Sequence, residues 1–226
     1  MKYVFSAIGG SGSTHLVKTL SEKYVIGHKP DTVFRPLLED LRIDTLNSEQ
    51  GSLAERAPGF SLIQDETIDA FLIRYIAYIR SSEKRTAVFN TCAELGLFSR
   101  HEISDVIFLV RHPLHAYVSW AKPERHGNII DYLGGINSRT AVHFYAKRWN
   151  AVIKELLTLK EKNILGGVIR YEFASTDSQN ILEISWAFED FDGTKRNHGM
   201  LAEEGSRYLR QETFDLFSKV YPDWDI

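Results

Sequence analysis

The segment from Lys2 to Leu16, KYVFSAIGGSGSTHL, constrains this chain more than any other. Apolar, β-prone residues run straight into Gly9-Gly10-Ser11-Gly12-Ser13-Thr14, and helix-compatible residues follow. A strand that hands over to a helix through a glycine-rich turn is the opening unit of a parallel α/β sheet. The first amides of such a helix have no partner inside it, and the helix dipole adds partial positive charge there. Small residues let an anion approach, and hydroxyls supply extra donors. The spacing therefore predicts an oxyanion site at Gly10, Ser11, Gly12, Ser13, Thr14 and His15. The bland alternative is a plain turn with a serine N-cap. Three glycines and three hydroxyls in six residues exceed what such a turn requires.

The same alternation continues to the C-terminus. We read a strand over 3–8, a helix over 13–23, a strand over 24–28 and a helix over 31–42. A polar loop near 45–58 precedes a helix over 66–82, with Ile68, Phe71, Leu72, Tyr75 and Ile76 on one side. Next come a strand over 86–90, a helix near 93–101 and a strand over 105–110. Pro113 then sits early in a helix, where its missing N–H costs nothing. Pro123 and the glycines at 127, 134 and 135 mark 122–136 as a loop, placed to act as a lid. Asn137 or Ser138 caps a long helix to about Lys162. A strand over 166–171, a helix near 178–189 and a helix over 201–219 complete the chain. The pattern predicts a three-layer, P-loop-like α/β fold: a mainly parallel central sheet flanked by helices. No linker forces a boundary, so 1–226 reads as a single domain.

Bulk properties narrow the function. Net charge is −3 and no long basic run occurs, which argues against a nucleic-acid groove. No apolar run approaches the ~20 residues of a membrane span. The single cysteine, Cys92, cannot form an internal disulfide. With no visible signal peptide, that fits a cytoplasmic protein. Cys92 reads as a small buried residue rather than a nucleophile. The eight histidines form no metal-binding cluster in the sequence.

The glycine loop differs from the nucleotide-triphosphate signature G-x-x-x-x-G-K-[ST]. No lysine lies between Lys2 and Lys18. The strand 105–110 ends in Arg111-His112, not in a Mg²⁺-binding aspartate. A kinase or NTPase would lack both main electrostatic supports. That strand does carry a second anion signal: Arg111-His112-Pro113, with Ser119 eight positions after the arginine. An arginine fork and a helix hydroxyl can meet one phosphate from two sides.

Together, the two segments resemble the sulfotransferases that use 3′-phosphoadenylyl sulfate (PAPS). The family's 5′-phosphosulfate loop is similar to Gly10-Ser11-Gly12-Ser13-Thr14. Its R-x-P-x-x-x-x-x-S motif for the 3′-phosphate matches Arg111 through Ser119. Tyr171-Glu172, after Val168-Ile169-Arg170, resembles the family's strand-end pair, whose tyrosine lies near adenine. The resemblance spans residues 3–172. It implies sulfuryl transfer from PAPS, without a metal, to a hydroxyl on a small molecule or glycan, with release of adenosine 3′,5′-bisphosphate (PAP). It also implies a second grip on the 3′-phosphate at Lys195 and Arg196, near His198. Gly10 departs from the pattern, because the family carries lysine or arginine there. Lys29, Lys18 and Arg35 are the nearest substitutes in sequence. The stretch Gly27-His28-Lys29-Pro30-Asp31-Thr32 is similar to the segment that carries the general base of tyrosylprotein sulfotransferases. Asp31 is thus the first candidate base, His28 the second and Glu94 a third. Asp31 could equally cap the following helix. Two further readings stay open: a nucleotide kinase or NTPase with a degenerate loop, and a non-catalytic PAP-binding module.

Overall fold

A computed structural model describes residues 3–32, 60–61, 63–182 and 205–222, without the side chains of 123–126. The elements are β1 (Tyr3–Ala7), α1 (Ser13–Leu20), β2 (Val25–His28), α2 (Ile68–Arg80), β3 (Arg85–Phe89) and α3 (Leu97–Arg100). They continue with β4 (Val106–Val110), α4 (Pro113–Trp120), α5 (Pro123–Tyr132), α6 (Arg139–Glu161) and β5 (Leu165–Arg170). A 3₁₀ turn (Tyr171–Phe173), α7 (Ala174–Leu182) and α8 (Gln211–Val220) follow.

The strands form one sheet in the order β2-β3-β1-β4-β5, with every pairing parallel. β1 and β4 are buried along their whole lengths. That is why they read as unbroken apolar runs rather than alternating patterns. Alternate residues of the strands face opposite layers. Val4, Phe89, Phe108 and Val110 pack with α2, α4, α6 and α8 on one face. Phe5, Val88, Leu109 and Ile169 pack with Leu16 and Leu20 of α1 and with Leu182 of α7 on the other. This three-layer α/β arrangement is the one the alternation predicts. Cys92 lies fully buried in the larger core.

Strand order also locates a crevice. β1 sends the chain toward β2 at one edge, and β4 sends it toward β5 at the other. The connections at the carboxyl ends of these two neighbouring strands therefore diverge. Such a switch point is where open α/β sheets leave room for a ligand. The glycine loop Gly9–Thr14 and Arg111 follow these two strands.

Several expected boundaries move. Within the expected loop 122–136, residues Pro123–Tyr132 are helical. Pro123 starts α5, and Ile129, Ile130 and Leu133 are buried beneath it, so burial outweighs the glycine signals. The helix near 93–101 shrinks to Leu97–Arg100, because residues 91–96 turn first. α7 starts at Ala174 rather than near 178. Of the expected helix 201–219, residues 201–204 lie outside the described ones, 205–206 are helical, and the chain turns before α8 starts at Gln211. The expected helix 31–42 and loop 45–58 lie largely outside the described residues. No described helix is long and apolar enough to cross a membrane.

Candidate functional site

After β1 the chain turns sharply. Ser11 N–H donates to the Ile8 carbonyl at 3.1 Å, and the Ser11 hydroxyl donates to the same oxygen at 2.6 Å. Gly12, at φ 91°, then caps α1 with no side-chain capping bond. The fully buried Ser11 hydroxyl thus shapes the loop from inside, where sequence reading had it among the anion-facing groups. Ser13 is buried at the first position of α1, Thr14 is exposed and His15 half-buried. The first amides of α1 have no acceptor within their own helix.

The loop rests on the far end of α4. A β-carbon on Gly10 would lie 2.1 Å from the Ala116 carbonyl oxygen, and one on Gly9 would lie 2.6 Å from Trp120 Cδ1. Gly10 also has φ +86°, a conformation that side chains disfavour. No cationic side chain therefore fits at this position. The Gly9 carbonyl accepts a 2.5 Å hydrogen bond from the Tyr145 hydroxyl on α6. Burial pushes that phenol's pKa well up, so it stays a donor.

Arg111 leaves β4 directly beside this loop. It is 4% exposed, and its Nη1 donates to the Gly10 carbonyl at 3.2 Å. Its guanidinium carbon lies 3.9 Å above the centre of the Tyr171 ring. Its carbonyl accepts from Trp149 Nε1 at 3.0 Å. Its Nε is buried and has no acceptor among the described residues. A buried donor left open on a permanent cation is a costly arrangement unless an anion completes it. Tyr171 therefore serves as the platform beneath Arg111. Ser119 is half-buried on α4, one residue before the Trp120 that backs the loop.

Behind Arg111, Glu172 organises the next layer. One carboxylate oxygen accepts from the His112 N–H at 2.9 Å, the other from the Tyr221 hydroxyl at 2.8 Å, and His115 Nδ1 lies 3.7 Å away. Burial alone would raise the pKa of Glu172, but the bonds from His115, His112 and Tyr221 outweigh it and hold the value below normal. The His112 ring sits 4.6 Å from that of His115. Burial, helped by positive charge on His115 and Arg111 and opposed by Glu172, pulls the His112 pKa down to about 4. The unfolded chain therefore takes up a proton near pH 6.5 that the folded one refuses. Stability is fully present above pH 6.5 and falls progressively toward pH 4. His112→Asn should flatten that fall, which chemical denaturation at pH 7 and pH 5 would measure. Equal acid sensitivity in both proteins would contradict the burial of the neutral imidazole.

His28 ends β2, Lys29 and Asp31 follow it, and β3 separates β2 from β1. Two strand spacings make that roughly 10 Å. Asp31 is 0% exposed. Its carboxylate accepts from three backbone amides: Asn90 at 3.0 Å, Thr91 at 2.5 Å and Cys92 at 2.9 Å. These contacts pin the turn after β3. His28 is half-buried at the end of β2. Lys29, at φ 55°, gives its carbonyl to the Thr32 amide and hydroxyl. Glu94 is held by Arg148 in a two-bond pair at 2.8 and 2.9 Å, with both side chains 7% exposed. Lys18 is exposed in the last turn of α1, away from the loop. Arg35, Lys195, Arg196 and His198 lie outside the described residues.

Sequence reading did not assign Tyr145, Trp149, Trp120 or Glu172 a role at the site. A signal existed for two of them. Tyr145 and Trp149 fall at i and i+4 on one long helix, each an aromatic with a polar tip that seeks a partner when buried. No protein-family model matches the chain, and no curated protein matches it in sequence.

Proposed function

We propose that the chain is a sulfotransferase that takes the sulfuryl group from PAPS and passes it to a hydroxyl acceptor. The observation that carries this reading is the convergence of two anion-binding elements on one crevice: the loop Gly9–Thr14 and the buried Arg111 with its open Nε. The loop amides would hold the 5′-phosphosulfate, and Arg111 with Ser119 the 3′-phosphate. The donor set suits a bisphosphate without a metal.

In the transfer, the acceptor oxygen bonds to sulfur while the bond from sulfur to the bridging phosphate oxygen breaks. The acceptor's proton goes to a protein base, and adenosine 3′,5′-bisphosphate carries away the negative charge. His28 is the proposed base, because Asp31 and Glu94 are committed to buried contacts. Positive charge near the leaving oxygen comes from the α1 amides rather than from position 10.

Arg111→Ala removes charge-assisted bonds worth about 1.5–3 kcal/mol each. Affinity for the bisphosphate should fall at least about tenfold, as calorimetry would show. Undiminished affinity would remove Arg111 from the site. One observation favours a second reading. The Gly10–Ala116 contact bars the family's cation, which suits a module that binds the bisphosphate without transferring sulfate. Turnover of radiolabelled PAPS against a panel of hydroxyl acceptors separates the two. His28→Gln should abolish that turnover while leaving bisphosphate affinity unchanged.

A further inference from the structure

A second concave site lies on the other side of α6. A cavity of about 730 Å³ runs along this helix and reaches the start of α8. Its walls carry Arg139, His143, Lys147 and Lys154 from α6, and Arg210 from the residue before α8. Glu212 is the one carboxylate among its described lining residues. Lys154 binds that carboxylate at 2.5 Å, and Arg210 also helps hold its pKa below normal. Arg139 is exposed and has no hydrogen-bond or ion-pair partner among the described residues. The described lining residues therefore carry net positive charge, led by Arg139 and Arg210, on a chain of net charge −3. Such local charge, not the overall field, recruits an anion.

Two further features of the walls narrow the ligand. Asn150 is 7% exposed and donates through Nδ2 to Glu212 at 3.4 Å. Glu212 can only accept, which fixes the orientation of the Asn150 amide. Asn150 Oδ1 is consequently a buried acceptor, and it has no donor among the described residues. It calls for a hydroxyl or N–H from outside. Beside it, Phe144, Leu133, Ala146 and Ala151 give an apolar wall. Phe144 has its ring 6.0 Å from that of Trp120, on the layer behind the glycine loop. Cations for a carboxylate, an acceptor for a hydroxyl and an aromatic ring for a C–H face suit one chemical class.

We infer that this groove binds an acidic sugar, a uronate or similarly charged residue, apart from the crevice at the ends of β1 and β4. The inference does not depend on the nature of the ligand at that crevice. The test is calorimetric titration with a short oligogalacturonate at low salt, beside its fully methyl-esterified form and a glutamate peptide of equal charge. The acid oligomer should bind, and the neutral ester should not. The peptide should bind more weakly, since it offers no sugar face to Phe144. Added salt should weaken the binding. The charge reversals Arg139→Glu and Arg210→Glu together should weaken it at least about tenfold, with the melting temperature preserved. Asn150→Ala should weaken the sugar acid several-fold and leave the peptide unaffected. If that buried substitution disturbs folding, the two exposed reversals still decide the matter. Arg111→Ala should leave oligogalacturonate binding intact, which keeps this result separate from the nucleotide assignment. Absence of binding, equal binding of the ester, peptide binding as tight as the sugar's, or indifference to charge reversal would each overturn the inference.

Discussion

A chain carrying Gly10→Lys will be less stable than the wild type by roughly 3–5 kcal/mol, or will fail to fold. Two costs combine. The backbone at position 10 sits at φ +86°, which penalises any β-carbon. That β-carbon would also lie 2.1 Å from the Ala116 carbonyl oxygen, and the obstacle is helix backbone rather than a movable side-chain tip. Relief would require α4 to back away, and Trp120 and Tyr145 hold the loop in register from behind. Restoring the residue that sulfotransferases usually carry here is therefore expected to harm this protein. The control is Gly127→Ala in α5, where a β-carbon meets nothing within 4 Å. That change should be neutral or stabilise by up to about 1 kcal/mol. Urea midpoints compare the two variants. A Gly10→Lys protein as stable as wild type would refute the close packing of loop on helix.

The second large effect is expected at Asp31. Its two oxygens accept from three consecutive amides after β3, 59 to 61 residues further along the chain. Asp31→Asn turns one of those oxygens into an NH₂ group facing backbone donors. A buried donor cluster without its acceptor should cost about 3 kcal/mol or more. The turn carrying Cys92 should loosen with it. Burial and the nearby Asp31 carboxylate raise the pKa of that thiol well above normal, so it is inert in the native fold. Faster labelling of Cys92 by a thiol reagent in Asp31→Asn would report the loosening. The opposite outcome is equally clear. A variant of wild-type stability and slow labelling, but without turnover, would return Asp31 to the catalytic role that its sequence context suggests.

Asp31 shows how far sequence reading reaches and where it stops. The alternation of apolar runs with helical periods made the parallel sheet legible, because buried strands and capped helices are written in local composition. The loop after β1 and Arg111 after β4 stood out as candidate anion-binding elements from local composition alone. Their adjacency did not, since strand order is set by long-range packing. The occupation of Asp31 was hidden for a related reason. A carboxylate that holds backbone amides 59 to 61 residues away leaves no mark in the residues around it. Gly10 was visible as an exception, but its cause lies in a helix about a hundred residues later. The helix Pro123–Tyr132 was obscured by Gly127, whose local signal lost to the burial of Ile129 and Ile130.

The most direct test of the central proposal is calorimetric titration with adenosine 3′,5′-bisphosphate, alongside ATP with and without Mg²⁺. The account predicts binding of the bisphosphate at micromolar concentrations or below, unaffected by chelator, with Mg-ATP far weaker. Binding of Mg-ATP alone would contradict it, and would assign the loop and Arg111 to a nucleotide triphosphate instead.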